Sequence, residues 1–271
     1  MLKILHGSDF HFGKPHLTLV NQAFGRVLET VDPDVVVLSG DFTQRAKDIE
    51  YQQVRTFLDS LKDVPVIVTP GNHDIPLYRI GQRLLNPYKN YQKYVSRNLD
   101  EVTRLDGAIF VALNSADPYR SIINGRITRD QVDFATRAFR ESRSKDLRIL
   151  VTHHPLVHSP DKGKYNLLPE SDFLLESFAD MGVELILSGH VHRAFTKYVT
   201  IPRDESGVKK GILVVHSGTT TSNRGRVHEK RRNTLNVVDM MGLDFKVSTY
   251  WYEEKEREFL GQEPNVFRRG I

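Results

Sequence analysis

Five short motifs in this chain carry side chains that can bind metal ions or transfer protons, and each follows an apolar run rich in β-branched residues. In chain order they are Asp9-Phe10-His11, Gly40-Asp41, Gly71-Asn72-His73-Asp74, His153-His154-Pro155 and Gly189-His190-Val191-His192. If each apolar run is a strand, the strand ends can deliver carboxylate, amide and imidazole donors to one edge of the fold. This mixture of donors suits Mn, Fe or Zn. The motifs together predict a hydrolytic site that binds two metal ions and cleaves phosphate esters.

The second and third motifs contain the residues with the most specific chemistry. Asp41 follows the apolar run 35–38, where a carboxylate can bridge two cations ~3.5 to 4 Å apart, although on its own it could equally cap a helix. Asn72 offers a neutral amide oxygen beside His73, an imidazole that can stay off the metal and protonate a leaving oxygen. We expect Asp74 to orient that imidazole.

The remaining motifs supply histidines. His153 and His154 stand before a proline that ends the strand, and one of the two is expected to face the site. His190 and His192 are separated by one residue, so on a regular strand both would point to one face, as ligands of neighbouring metals require. A lone buried histidine is usually structural, but the occurrence of all five motifs in one chain favours the metal site.

The elements that must position these motifs alternate between strand and helix in the first part of the chain. Apolar runs predict strands over 2–5, 35–38, 66–69, 109–113, 149–152 and 185–187. Polar-apolar stretches between them predict helices over 17–30, 48–61, 129–143 and 171–180. After Gly189 the sequence predicts strands over 195–201, 211–216, 234–238 and 245–252, with turns over 202–207 and 241–243.

These later strands predict a second sheet of antiparallel strands. Two sheets packed face to face and covered by helices form a layered α/β sandwich, in which loops at the carboxyl ends of strands carry the ligands. We therefore expect an α/β fold with its ligands gathered along one edge.

The motif set resembles that of the calcineurin-like metallophosphoesterases, whose pattern is Asp-x-His, Gly-Asp, Gly-Asn-His-Asp/Glu, His and Gly-His-x-His. The resemblance covers roughly residues 1–240 and implies a four-layer α/β-β-α sandwich of two mixed sheets flanked by helices. It implies that Asp9, His11 and His192 hold one metal, that Asn72, His153 and His190 hold the other, and that Asp41 bridges them. His153 is preferred over His154 because the family's ligand stands two residues before the proline. In the implied mechanism a hydroxide between the metals attacks phosphorus, and His73 assists the leaving group.

Within this family the chain is most similar to the class III cyclic nucleotide phosphodiesterases and the glycerophosphodiesterases, through Gly-Asp-Phe-Thr, Gly-Asn-His-Asp and His-His-Pro. The implied substrate is a small phosphodiester, with a cyclic nucleotide as the specific hypothesis. The candidate substrate-binding residues are Arg45, His154, His216 and Arg224. The guanidinium group of arginine can donate two hydrogen bonds to one phosphate, although surface arginines commonly bind no ligand.

Composition agrees with a folded, water-soluble domain, since 39% of the residues are hydrophobic and 27% are charged. No run approaches the ~18 to 20 apolar residues of a membrane helix and no signal peptide is recognised, so we expect a cytoplasmic location. The absence of cysteine excludes thiolate ligands and a cysteine nucleophile. The net charge of +4 is concentrated at 224–232, which either attracts a phosphate-bearing substrate or is a solvated loop.

We expect residues 1–252 to form the catalytic domain and 253–271 a tail. Residues 78–100 are expected to be a cap beside the site or a packed surface helix. We expect the chain to bind a small phosphodiester, and nucleic acid is a less favoured partner. Whether the chain forms a homodimer is left open by the sequence. Three rival functions remain: a nuclease, which needs a long basic groove; a lipid-directed phosphodiesterase or pyrophosphatase, which needs an apolar cap; and a metal-binding scaffold without catalysis.

Overall fold

Thirteen strands form two sheets in the structure, a computed structural model that describes residues 2–61, 63–121, 123–160, 165–202, 209–226 and 229–269. The first sheet contains β1 (Leu2–Gly7), β2 (Val35–Leu38), β3 (Val66–Val68), β10 (Thr234–Met241), β11 (Asp244–Glu253), β12 (Glu258–Gly261) and β13 (Asn265–Arg268). Its order is β12-β11-β10-β1-β2-β3, with β13 also paired to β11. Strands β1, β2 and β3 are parallel, whereas β10 runs antiparallel to β1. The first sheet is therefore mixed.

The second sheet contains β4 (Glu101–Leu105), β5 (Ala108–Leu113), β6 (Leu147–Thr152), β7 (Leu185–Ser188), β8 (Phe195–Pro202) and β9 (Lys209–His216). Its order is β4-β5-β6-β7-β9-β8. The four central strands are parallel, and the two edge strands β4 and β8 are antiparallel to their neighbours. Both sheets thus have parallel strands whose carboxyl ends reach one edge.

The described residues form six α-helices, most of which pack on the outer face of a sheet. They are α1 (Thr18–Val31), α2 (Asp48–Asp59), α3 (Ile80–Leu85), α4 (Lys89–Tyr94), α5 (Arg129–Arg140) and α6 (Ser171–Asp180). Residues from α1, α2 and α4 pack on the first sheet, and residues from α5 and α6 pack on the second. None of the helices in the described ranges is long and apolar enough to cross a membrane.

A third apolar cluster lies between the sheets. Ile4 and Val37 of the first sheet meet Phe110, Ile149 and Leu213 of the second in this cluster, and all five are buried. Strands buried on both faces need apolar residues at nearly every position, which is why the sequence shows continuous runs there. The expected four-layer α/β-β-α sandwich of two mixed sheets is confirmed.

The strands after Gly189 do not form a sheet of their own, so that expectation was wrong. Strands β8 and β9 extend the second sheet, because β9 pairs with β7 in parallel register. Strands β10 to β13 extend the first sheet, because β10 pairs with β1. Local patterns predicted the strands, but the chain's return from one sheet to the other depends on long-range pairing that these patterns do not contain.

Two further segments differ from expectation. Residues 253–271, expected as a tail, supply β12 and β13, both of which pair with β11. The segment 78–100 contains two short helices rather than one packed helix, and only α4 places a residue, Tyr91, in the core. The expected turn at 241–243 joins β10 to β11, whereas 203–207 of the other expected turn lies outside the described residues.

Candidate metal centre

All five motifs lie in loops that leave the carboxyl ends of parallel strands, at a shared edge of the two sheets. They follow β1, β2 and β3 in the first sheet and β6 and β7 in the second. Backbone hydrogen bonds join these loops: the Asp9 amide donates to the Gly40 carbonyl over 3.0 Å, and the Gly189 amide donates to the His153 carbonyl over 3.1 Å. Topology thus brings residues far apart in the sequence into one site.

Five of the expected ligands have left-handed backbone conformations. Asp9, His11, Asp41, His190 and His192 have φ between 48° and 73°. This conformation is unfavourable for residues other than glycine and is held only where surrounding structure enforces it. It also corrects the expectation for the last motif, because β7 ends at Ser188 and the two following histidines are not on a strand.

Two glycines permit the close approach of these loops. A Cβ on Gly71 would lie 2.2 Å from an Asp41 carboxylate oxygen, and a Cβ on Gly189 would lie 1.9 Å from the Ser8 hydroxyl oxygen. At Gly71 a larger residue would also lie 2.3 Å from the Asp41 backbone nitrogen, so the backbone would have to move, and at Gly189 it would displace the side chains of Ser8 and Asp9. The close packing of these loops therefore explains why the motifs have glycine at these two positions.

One set of donors consists of Asp9, His11, Asp41 and His192, whose ligand atoms all lie within 4.8 Å of one another. The His192 Nε2 lies 3.1 Å from Asp9 Oδ1, and the His11 Nε2 lies 3.6 Å from both Asp9 Oδ1 and Asp41 Oδ2. All four residues are buried. This set has the donor types and spacing for one metal ion.

A second set consists of Asn72, His153 and His190. The Asn72 amide oxygen lies 2.8 Å from His190 Nδ1 and 3.2 Å from His153 Nε2, and the two imidazole nitrogens are 3.3 Å apart. Asp41 Oδ1 lies 3.4 Å from His153 Nε2, while its Oδ2 faces the first set. The carboxylate of Asp41 therefore stands between both sets, where a bridging ligand would be.

Backbone carbonyls hold two of the imidazoles in orientation. His153 Nδ1 donates to the Ser39 carbonyl over 2.7 Å, and His192 Nδ1 donates to the Arg224 carbonyl over 2.8 Å. Each bond directs Nε2 at its donor set, and Nε2 can act as a ligand atom once it carries no proton. Histidine ligands of metal sites are commonly oriented in this way.

The buried carboxylates and the pKa values of the histidines are those expected of a site that binds cations. Asp9 Oδ1 and Asp41 Oδ2 are buried without hydrogen-bond partners, an arrangement that is costly unless a cation compensates it. Burial alone lowers the pKa of His153, yet the Asp41 carboxylate overcomes this and raises that pKa to about 9. The surroundings of the His153 imidazole therefore favour a positive charge. Burial lowers the pKa of His11 and of His190 to about 3, so both imidazoles are neutral and free to act as ligands.

His73 stands beside both sets without belonging to either. Its backbone amide donates to Asp41 Oδ1 over 2.8 Å, and its imidazole Nδ1 donates to the Gln44 carbonyl over 3.0 Å. Arg224 Nη1 lies 3.0 Å from the imidazole Nε2. Burial lowers the His73 pKa, Asp41 raises it and Arg224 lowers it further. In the neutral ring Nε2 therefore accepts from Arg224, and both residues line the adjacent cavity.

Asp74 does not orient that imidazole, so this expectation was wrong. Its buried carboxylate accepts from the backbone amides of Gly71, Phe42 and Thr43 over 2.9 to 3.2 Å. The Thr43 hydroxyl also donates to it. Asp74 therefore ties the loop after β3 to the loop after β2, which fixes the position of the residues on both.

His154 and His216, expected to bind substrate, are both buried behind the site. His154 Nδ1 lies 2.9 Å from the Ser115 hydroxyl, and its ring packs at 4.5 Å on the His190 ring. His216 lies 2.9 Å from the Ser188 hydroxyl, and its ring stacks at 4.2 Å on Phe195. Neither residue lines the cavity and both are almost fully buried, so they support neighbouring loops and do not contact a substrate.

The donor sets lie at a cavity of about 390 Å³. Arg45 and Arg224 line it, as expected for substrate-binding residues. The other lining residues are Asp41, Asn72, His73, Leu77, Ile123, Tyr165, Asn166, His190, His192 and Arg226. Leu77, Ile123, Tyr165 and Asn166 were not foreseen. They lie in loops whose sequence has no metal-binding or phosphate-binding signature.

Glu229 anchors the loop that carries Arg224. Its buried carboxylate accepts from the Ala194 amide over 2.5 Å and from the Thr234 hydroxyl over 3.3 Å. Burial raises the Glu229 pKa from 4.5 to about 7, against the opposing effect of these hydrogen bonds. Between about pH 4.5 and about pH 7, the Glu229 carboxyl is therefore protonated in the native state and ionised in the unfolded chain.

Glu229→Gln is expected to flatten the pH dependence of stability. Because the native pKa is raised, the stabilisation is present below about pH 4.5 and is lost as pH rises through about 7. The difference in free energy of unfolding between about pH 5 and about pH 8 should shrink by roughly 2 to 3 kcal/mol in the variant. Urea unfolding at both pH values measures it. An unchanged difference would mean that Glu229 titrates normally.

The fold and the site define a class of protein: an α/β-β-α sandwich with two histidine and carboxylate donor sets at the strand ends. The family model for calcineurin-like phosphoesterases matches residues 2–194. This chain belongs to the calcineurin-like phosphoesterase family.

Two relatives carry more specific names. A probable cyclic nucleotide phosphodiesterase of Synechococcus sp. is 31% identical over 172 residues, which are 62% of this chain and 61% of that protein. A probable cyclic nucleotide phosphodiesterase of Coxiella burnetii is 25% identical over 203 residues, which are 72% of this chain and 77% of that protein. The match thus spans less than two thirds of the Synechococcus protein.

Solved structures agree on the fold. A purple acid phosphatase from yellow lupin superposes with a TM-score of 0.68 at 12% identity, covering 99% of this chain and 54% of the lupin chain. A dimetal phosphatase from Danio rerio superposes with a TM-score of 0.63 at 12% identity, covering 98% of both chains. At this identity the similarity establishes the architecture alone.

Proposed function

We propose that the protein is a two-metal phosphodiesterase that hydrolyses a small phosphodiester, and specifically a cyclic nucleotide. The observation that carries this proposal is the position of Asp41, whose two carboxylate oxygens face different donor sets beside a cavity. Asp9, His11 and His192 would hold one metal, and Asn72, His153 and His190 the other. Two cations held there would supply Lewis-acid activation of water and would neutralise the charge of the phosphoryl group.

The chain's own residues supply binding and proton transfer. Arg224 lies beside His73 and lines the cavity with Arg45 and Arg226, so three guanidinium groups can bind the non-reacting phosphate oxygens. His73 lines the same space, and its imidazolium form, which carries protons on both ring nitrogens, can give the Nε2 proton to the leaving oxygen. The Gln44 carbonyl holds the opposite nitrogen, which keeps the ring in position for that transfer.

The residues on one wall of the cavity suit a small substrate that contains an aromatic ring. Tyr165 lines it, and its hydroxyl is held by the Ser159 amide over 2.5 Å. Asn166, beside it, donates to the Asn124 side-chain oxygen over 2.8 Å. An anchored ring and an amide on one wall suit a nucleobase, for which stacking and hydrogen bonding are the usual contacts. Both relatives named above are described as probable cyclic nucleotide phosphodiesterases, which favours the same substrate class.

The test is turnover by metal-stripped protein reconstituted with Mn. Bis-p-nitrophenyl phosphate and p-nitrophenyl phosphate are assayed in parallel, followed by 3′,5′- and 2′,3′-cyclic nucleotides. Preference for the diester together with hydrolysis of a cyclic nucleotide supports the proposal. Preference for the monoester would redirect it to a phosphatase. No turnover with two metals bound would contradict it and favour the scaffold or a large substrate such as nucleic acid.

Arg226→Ala is expected to weaken substrate binding rather than the chemical step. A charge-assisted hydrogen bond contributes about 1.5 to 3 kcal/mol, so KM should rise about tenfold or more while kcat changes little. Lys230→Ala is the matched control, because Lys230 is an exposed cation near the same loop and does not line the cavity. Steady-state kinetics with a diester measure both constants. An equal rise in KM for both variants would mean that only the general positive field matters.

A further inference from the structure

Helix α3 differs from the other helices of the described ranges because none of its residues is buried. Ile80, Leu84 and Leu85 are all exposed on it, Leu85 by 88%. A six-residue helix has little stability of its own in water, and apolar side chains on a surface helix normally face a core. On α3 they face solvent instead.

The exposed apolar surface continues from α3 onto the loop after β5. The Tyr119 hydroxyl donates to the Leu84 carbonyl over 3.4 Å, and Arg83 donates to the Arg120 carbonyl over 3.0 Å, so the two segments adjoin. We name this surface the apolar rim; it consists of Tyr78, Ile80, Leu84, Leu85, Tyr119 and Ile123, all exposed. Ile123 also lines the catalytic cavity. The rim is therefore continuous with the mouth of the site.

Arginines that form no ion pair with any described carboxylate lie along the apolar rim. The Arg45 guanidinium lies 5.0 Å from the centre of the Tyr78 ring. Arg79 donates to the Gln82 side-chain oxygen and to a backbone carbonyl, and Arg83 donates to backbone carbonyls only.

Acidic groups near the rim are already paired. Asp48 lines the same groove as Arg79 and Lys89, but it accepts from the Tyr94 hydroxyl and forms an ion pair with Lys93. Asp117, in the loop after β5, is paired with two arginines. Within the described ranges, the rim thus combines exposed apolar side chains with cations that no ion pair neutralises.

We propose that the apolar rim docks this protein on the surface of an anionic lipid bilayer. Apolar side chains enter the boundary between headgroups and acyl chains, and the cations contact anionic headgroups. A second copy of the chain is the competing occupant. A two-fold contact would bring two positively charged rims together and they would repel each other, whereas an anionic surface attracts the same cations. Docking would place the mouth of the catalytic cavity beside the bilayer.

Co-sedimentation of the full chain with vesicles tests this proposal. Vesicles of phosphatidylcholine alone are compared with vesicles that also contain phosphatidylglycerol, at low and high salt. We expect binding only with phosphatidylglycerol and weaker binding at high salt. Leu84→Gln/Leu85→Gln should bind about tenfold or more weakly, because two side chains no longer leave water for the bilayer. Arg79→Gln/Lys89→Gln should also bind several-fold more weakly.

Leu243→Gln is the matched control. Leu243 is 61% exposed on the turn between β10 and β11, at the opposite end of the first sheet from the candidate metal centre. Its substitution should leave vesicle binding unchanged. Circular dichroism and thermal unfolding verify that each variant is folded. Binding that Leu84→Gln/Leu85→Gln does not weaken would contradict the proposal.

Two further results would overturn it. One is the absence of wild-type binding to phosphatidylglycerol vesicles. The other is a concentration-dependent dimer in sedimentation velocity that Leu84→Gln/Leu85→Gln abolishes, which would assign the rim to a second copy. The proposed hydrolytic activity is judged separately, because Leu84→Gln/Leu85→Gln should retain wild-type turnover of bis-p-nitrophenyl phosphate in solution whether or not the protein binds lipid.

Discussion

Replacing Asp41 with asparagine is expected to lower kcat/KM for a phosphodiester by about a thousandfold or more, because metal ions contribute several kcal/mol to stabilising the transition state. The carboxylate faces both donor sets, so its loss weakens both metal sites at once. Asparagine keeps the size of the side chain and can still accept the amide of His73 through its carbonyl oxygen. The backbone around the site should therefore survive the substitution.

Metal content and thermal unfolding separate this effect from misfolding. In metal-free buffer near neutral pH Asp41→Asn should unfold at a lower temperature than the wild type, because the variant loses the interaction of Asp41 with protonated His153. Added Mn should raise the wild-type midpoint through binding to the native state, and the variant should lose most of that rise. Inductively coupled plasma mass spectrometry should find about two metals in the wild type and fewer in the variant.

Asp117→Asn is the matched control for Asp41→Asn. Asp117 is a largely buried carboxylate as well, but it pairs with Arg120 and Arg126 and belongs to neither donor set. Its substitution should lower stability modestly and leave metal content and turnover unchanged. Retention of two metals and full turnover by Asp41→Asn would contradict the bridging role.

Much of the fold and the donor sets could be predicted from sequence because the relevant signals are local. Continuous β-branched runs such as 35–38 mark strands buried on both faces, and the structure places a strand there with the same bounds. Parallel strands end at one edge, so a polar residue directly after each run is a candidate ligand. The donor atoms of Asp9 and His192 lie 3.1 Å apart, although the two residues are 183 positions apart in the sequence.

The features that sequence did not predict depend on contacts between loops. The left-handed conformation of His190 and His192 replaces the expected strand alternation, because the loop must turn sharply toward Asp9, whose carboxylate accepts the amide of His190. Asp74 stands next to His73 in the sequence, yet its carboxylate binds backbone amides of two loops instead. The cavity wall at Tyr165 likewise arises from loop packing, for which the sequence carries no periodic pattern.

Removal of the His73 imidazole is expected to have the second largest effect, and this effect should depend on the leaving group. General acid catalysis contributes about a hundredfold to ten-thousandfold, so His73→Ala should lower kcat by at least about a hundredfold for diphenyl phosphate. For bis-p-nitrophenyl phosphate the loss should stay below about tenfold, because p-nitrophenol is a much stronger acid than phenol and its anion leaves without a proton.

The metal sites should remain intact in His73→Ala, since the interaction with Asp41 comes from the backbone amide, which alanine retains. Equal metal content in the wild type and the variant would exclude a change in the metal sites as the cause of the slower turnover. Arg224→Gln distinguishes charge stabilisation from proton donation, because a lost guanidinium should slow both substrates by similar factors. If His73→Ala also slows both substrates equally, His73 acts through the charge on the phosphoryl group and does not donate the proton.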